Sequence, residues 1–165
     1  MRLNDCDPGF KQEIARQPGG EGLQTCFACA ACSARCPVGG LKPQYDPRRL
    51  LRLAVLGRRE EVLSSPLIWL CCSCQNCSEV CPQDVRCSDV LTAIKNLAAQ
   101  AGYAPPSGQA MARQLAGHGR LLEVGEFENE KRAELGLPPV SEEPADYRAI
   151  LGMEAAPLEP AGEGS

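Results

Sequence analysis

Eight of the eleven cysteines in this 165-residue chain fall in two runs of one spacing. Cys26, Cys29, Cys32 and Cys36 read C-x2-C-x2-C-x3-C, followed by Pro37. Cys71, Cys74, Cys77 and Cys81 repeat the pattern 45 residues later, followed by Pro82. A tight run of four thiols closing on Cys-Pro is a bacterial signature of iron–sulfur clusters. The physical basis is reach: three thiolates two residues apart wrap one face of a cubane without long loops. In two-cluster proteins the fourth cysteine of such a run ligates the other cluster. The expected sets are therefore Cys26, Cys29, Cys32 and Cys81 around one 4Fe–4S cluster, and Cys36, Cys71, Cys74 and Cys77 around the second. Spacing alone leaves uncrossed cages open. Two zinc sites also stay open, although zinc normally draws on separated C-x2-C pairs.

Three cysteines stand outside this scheme. Cys72 reads as a small buried apolar side chain, or as a substitute for Cys71 if the register is loose. Cys6 and Cys87 read as structural, with Cys87 close enough in sequence to Cys81 to lie near the first cluster.

A disulfide framework is the competing use of so many cysteines. The first twenty residues hold no apolar leader segment, and the longest apolar run, Leu67 to Cys72, falls far short of the roughly 18 residues that read as a membrane helix. The expectation is a cytoplasmic chain whose thiols stay reduced, where clustered cysteines mean metal. With 17 basic and 21 acidic residues the formal charge is −4, which offers no basic patch of nucleic-acid size. Aromatic residues make only 4%, so the core must be small and aliphatic.

Helical signals frame the two runs, and alternating β-type stretches are nearly absent, so the fold class is all-α. Asp7-Pro8 reads as a cap and first helical position, with Phe10 and Ile14 on one face and Pro18-Gly19-Gly20 as the stop. Asp46-Pro47 repeats that start for a helix to Leu56, ended by Gly57. Arg58 to Leu63 forms a short helix. Ser88 reads as the cap of a stronger helix over 89–101, with Val90, Ile94, Leu97 and Ala101 on its apolar face. Beyond Ala104-Pro105-Pro106 come weaker helical pieces at 109–116, 126–135 and 145–151. The expected organisation is an N-terminal helix over 1–19, the two-cluster domain over 20–103, a partner-binding helical extension over 104–152 and a disordered tail over 153–165.

Around the runs, Arg35 and Arg86 are placed to tune a cluster or anchor a carboxylate, and also read as solvated side chains. Arg48, Arg49, Arg52, Arg58 and Arg59 read as helix solubilisation or as a docking surface. Trp69, beside the second run, reads as a core residue. His118, the single histidine, reads as a loop residue. The sequence holds neither G-x-G-x-x-G nor a P-loop, and so no evident nucleotide or flavin site. It offers electron wiring and no reaction centre.

The stretches TCFACAACSARCPVG, YDPRRLLRLAVLGRREEVLSSPLIWLC and CSCQNCSEVCPQDV resemble the C-type component of heterodisulfide reductase and its bacterial relatives, over roughly Phe10 to Tyr103. The linking stretch is the specific part. It separates this family from small two-cluster ferredoxins built on strands, and the resemblance implies the α-helical ferredoxin fold. It further implies a relay. A flavin-containing A-type subunit gathers electrons, and the C-type subunit passes them through two 4Fe–4S clusters to a cysteine-rich B-type subunit that performs disulfide chemistry. The adjacent Cys-Cys-Gly of the B-type subunit is absent, since Ser73 follows Cys71-Cys72. Iron–sulfur subunits of succinate dehydrogenase and fumarate reductase share the helical module but carry a 2Fe–2S domain ahead of it; with 25 residues before Cys26 that resemblance is the weaker expectation. A free ferredoxin-like carrier and a zinc-based assembly scaffold are the alternatives.

Overall fold

The computed structural model describes residues 6–122 and 124–141, and every regular element among them is helical. The chain divides into two units, one ending at Pro105 and one starting at Pro106.

The first unit contains α1 (Phe10–Ala15), a 3-10 segment (Glu21–Thr25), α2 (Ala31–Ala34), α3 (Pro37–Leu41), α4 (Pro47–Val55) and α5 (Arg59–Leu63). A second 3-10 segment (Pro66–Leu70), α6 (Asn76–Glu79) and α7 (Cys87–Gln100) complete it. α7 is the long central element and packs on α1, α4, α5, α6 and both 3-10 segments. Its buried residues Val90, Leu91, Ile94, Leu97 and Ala98 follow helical spacing. They meet Phe10 and Ile14 of α1, Leu51 and Ala54 of α4, and Val62 and Leu63 of α5 in one aliphatic core. Each such large side chain contributes about 1.5–3 kcal/mol by leaving water.

Local chemistry fixes the helix ends. Asp46 caps α4 by accepting the Arg49 N–H at 3.2 Å, and Pro47 takes the first helical position. Gly57 follows with φ +76°, and its carbonyl accepts the Asp7 N–H at 2.7 Å. A Cβ at Gly57 would lie 2.3 Å from the Asp7 carbonyl oxygen, so only glycine permits this approach. Arg59 adds a second tie to α1: it pairs with Glu13 and lies 5.3 Å from the Phe10 ring centre.

Three expectations need correction. α1 begins at Phe10, because the Asp7 carboxylate accepts the Gly9 N–H at 2.8 Å and turns the chain first. α7 begins at Cys87, after Arg86 in the left-handed region at φ 53°, so Ser88 lies inside the first turn and caps nothing. Ala101 is exposed at the end of α7 and takes no part in its apolar face.

The 45-residue repeat extends well past the cysteines. The two 3-10 segments correspond, as do α2 and α6. Ala28 and Ser73 match in the left-handed region at φ 59° and 55°, and Ala30 and Gln75 at 73° and 63°. Non-glycine residues hold such angles only when the surroundings dictate them. Here they bend the chain between successive cysteines in both halves.

The second unit contains α8 (Pro106–His118) and α9 (Glu126–Glu134). The Pro105-Pro106 break is a helix start, with Pro106 opening α8. His118 lies in the last turn of α8 and is not a loop residue. Asn129 holds the following chain through two hydrogen bonds with the backbone of Val140, at 3.1 and 2.8 Å. Leu122, Phe127 and Leu135 remain exposed. The expected helix at 145–151 and the tail at 153–165 lie outside the described residues.

Candidate iron–sulfur centres

The two cysteine runs surround two separate hollows, each about 300 Å³ including its open mouth. Cys26, Cys29 and Cys32 line the first together with Cys81 of the other run. Cys71, Cys74 and Cys77 line the second together with Cys36. Each hollow thus takes three cysteines of one run and one of the other, with a fifth on its wall, Cys87 at the first and Cys72 at the second. The cause is local. The left-handed residues curl the first three cysteines of each run inward, while Cys-Pro carries the fourth away. Cys36 opens α3 and accepts the Gly39 N–H on its sulfur at 3.4 Å. Cys81 likewise accepts the Val85 N–H at 3.4 Å. Such backbone bonds hold a sulfur in place.

Two serines anchor the halves. Ser33 of α2 donates to the Asp46 carboxylate that caps α4. Its counterpart, Ser78 of α6, accepts the Ser88 N–H at 3.2 Å and so ties α6 to α7. α2 and α6 also touch, bringing Cys32 and Cys77 to the middle of the unit.

Cys87 stands at that middle, only 2% exposed and on the wall of the first hollow. Its thiol is within hydrogen-bonding reach of both Cys32 and Cys77. That contact is the main reason the Cys32 thiol is lowered to about 6 and the Cys77 thiol to about 7, with burial opposing both. The same two contacts, then burial, push Cys87 far above the ordinary thiol range. Cys87 therefore stays protonated as a donor between two sulfurs that are ready thiolates.

Tyr45 and Ser88 line the second hollow besides its cysteines, and Lys95 lies beside its run. Tyr45 is 3% exposed, and burial followed by the nearby Cys71 charge pushes its phenol upward, so it stays a neutral donor. Lys95 of α7 donates to the Cys71 carbonyl at 3.0 Å and brings a positive charge beside that run. Ser88 lines the hollow with a buried hydroxyl. The first hollow is walled by Phe27, Ala28, Ala31 and Val85, with Gln83 and Cys87 as its polar members besides the four cysteines.

Sequence reasoning missed Tyr45, Ser88 and Lys95 as neighbours of the second hollow. Tyr45 and Ser88 carried helix-start signals that hid them, and Lys95 carried no signal. Cys72 is exposed and, like Cys71 and Cys74, lines the second hollow, contrary to the buried side chain expected. Trp69 is half-buried against the core, and Cys6 is half-buried. Arg35 is exposed, and Arg86 pairs with Asp89 at 3.3 Å. Of the basic stretch, Arg48, Arg49 and Arg52 are exposed, while Arg58 pairs with Glu61 and Arg59 with Glu13.

Among the described residues, no three His, Cys, Asp or Glu side chains converge on one point as ligands of a single metal ion must. Sulfurs standing around a hollow suit a polynuclear cluster, and zinc would require them drawn together.

Residues 25–86 match the 4Fe-4S dicluster domain family. The chain is 35% identical over 144 residues to the C-type subunit of the H2:CoB-CoM heterodisulfide,ferredoxin reductase of Methanothermobacter thermautotrophicus, covering 86% of this chain and 77% of that protein. It is 31% identical over 148 residues to the C-type subunit of the ferredoxin/F420H2-dependent CoB-CoM heterodisulfide reductase of Methanosarcina acetivorans, covering 88% and 91%. The chain belongs to the family of C-type heterodisulfide reductase subunits. A third relative, the C-type iron-sulfur subunit of the CoB–CoM heterodisulfide reductase of Methanopyrus kandleri, is 30% identical over 158 residues, covering 92% and 82%. As a member of this family, the chain is an electron-transfer protein with two 4Fe–4S clusters, and the two cysteine-lined hollows fit that pair. Among the described residues no helix is long and apolar enough to cross a membrane.

Proposed function

We propose that this protein relays single electrons between a flavin-containing A-type subunit and a cysteine-rich B-type subunit of a heterodisulfide reductase-like complex. Cys26, Cys29, Cys32 and Cys81 hold one cluster, and Cys36, Cys71, Cys74 and Cys77 hold the other. The observation that carries this reading is the crossed lining of the hollows, three cysteines of one run and one of the other. Bound there, the clusters supply one-electron chemistry. The chain contributes fixed ligands, apolar walls that keep water away, and donors that set how readily an electron is held. Cys32, Cys87 and Cys77 form a short contact path from one hollow to the other.

A free carrier is the second reading. Exposed Leu122, Phe127 and Leu135 on the second unit offer apolar side chains that a partner subunit could cover, which favours a complex. The test is anaerobic purification of the tagged chain from its native cells, with iron analysis and mass spectrometry of what accompanies it. A flavoprotein and a cysteine-rich protein should co-purify. The chain alone, with about eight irons, would replace the relay by a diffusible carrier.

A further inference from the structure

Ser88 is 1% exposed, and its hydroxyl is the one buried side-chain N or O among the described residues with no hydrogen-bond partner. Leaving a buried hydroxyl unpaired costs about 1–3 kcal/mol, so such a group calls for an explanation. Its own backbone N–H is satisfied by Ser78. Helical serines can satisfy themselves on a carbonyl one turn back, as Thr92 does on the Ser88 carbonyl at 3.1 Å. Ser88 makes no such bond. It stands in the first turn of α7 and lines the second hollow with Cys36, Cys71, Cys74 and Cys77. Its neighbour Cys87 lines the first hollow instead. The opening turn of α7 thus presents one donor to each side.

We propose that the Ser88 hydroxyl is a donor to sulfur in the second hollow, and that this bond raises the reduction potential of the cluster held there. The inference rests on the proposed assignment of Cys36, Cys71, Cys74 and Cys77 to that cluster. Reduction adds negative charge, so a donor aimed at cluster sulfur stabilises the reduced form more than the oxidised one. Ser88 is a positioning residue: it ligates nothing and leaves the number of irons unchanged.

The experiment is a redox titration, followed by electron paramagnetic resonance, of the full-length protein and of Ser88→Ala and Ser88→Thr, each with its iron counted. The wild type must hold about eight irons and titrate in two steps; failure at that point defeats the two-cluster assignment, not the role of Ser88. In Ser88→Ala one step should fall by about tenfold in the reduced-to-oxidised ratio at fixed potential, or about 59 mV, while the other stays in place. Ser88→Thr, which keeps a hydroxyl, should restore it. Two unmoved steps, two steps moving together, or Thr behaving as Ala would overturn the proposal. If Ser88→Ala holds fewer irons, Ser88→Cys carries the test: as a weaker donor it should lower the same step by less, and a wild-type step or a loss of iron there overturns it.

Discussion

Cys32 and Cys77 occupy equivalent places 45 residues apart, each is 8% exposed, and each faces the same thiol, that of Cys87. The meeting point joins the two halves of the repeat. It also supplies a shared donor to one ligand sulfur of each proposed cluster. Cys87→Ala should keep about eight irons, because the proposed ligand sets are complete without Cys87, which meets Cys32 and Cys77 as a donor. Both reduction steps should fall, each by less than tenfold, since S–H is a weak donor. Redox titration with iron analysis checks this, and loss of half the iron would make Cys87 a ligand.

Crossed ligation is testable with pairs of substitutions. Cys29→Ser and Cys74→Ser should each remove about four of eight irons. Adding Cys81→Ser to Cys29→Ser should cost little more, because both alter one hollow. Adding Cys81→Ser to Cys74→Ser should strip nearly all iron. Uncrossed cages predict the reverse pattern in the same iron assay.

The polar side chains around the second hollow should act together on one cluster. Tyr45→Phe removes a buried donor, and Lys95→Met removes a positive charge beside Cys71. Both should lower the reduction step that Cys74→Ser abolishes and spare the other. A shift confined to the surviving step would reverse the assignment of the hollows.

Gly22 is packed against the strut of the first hollow. A Cβ there would lie 2.6 Å from the Val85 carbonyl oxygen, and the Val85 N–H is the donor to the Cys81 sulfur. Gly22→Ala should therefore destabilise the protein by about 1–3 kcal/mol, the usual cost of overpacking, and shift the first cluster's reduction step. Gly40→Ala, with nothing within 4 Å of its Cβ, is the matched control and should change either by little. Thermal unfolding of the loaded protein and redox titration read both effects.

The helices and the cluster chemistry were legible in the sequence because their causes are local. Asp46-Pro47 starts α4 through one side-chain cap, and the spacing of Val90, Ile94 and Leu97 writes the buried face of α7. The cysteine spacing names the cluster type for the same reason, since three ligands two residues apart depend only on nearby backbone. Which Cys-Pro cysteine joins which cluster was an inference from pattern; Cys81 lines the first hollow and Cys36 the second, and the ligand sets built on them are the proposal that the paired substitutions test. Ser88 shows where local reading failed. Serine before an apolar helical run resembles a cap, yet Arg86 turns left-handed and starts the helix earlier, carrying Ser88 into the interior. Tyr45 and Cys87 likewise reach the hollows from separate segments, and Lys95 reaches the Cys71 carbonyl from α7. Their placement depends on how α2, α6 and α7 pack, and long-range packing leaves no spacing for a sequence to display.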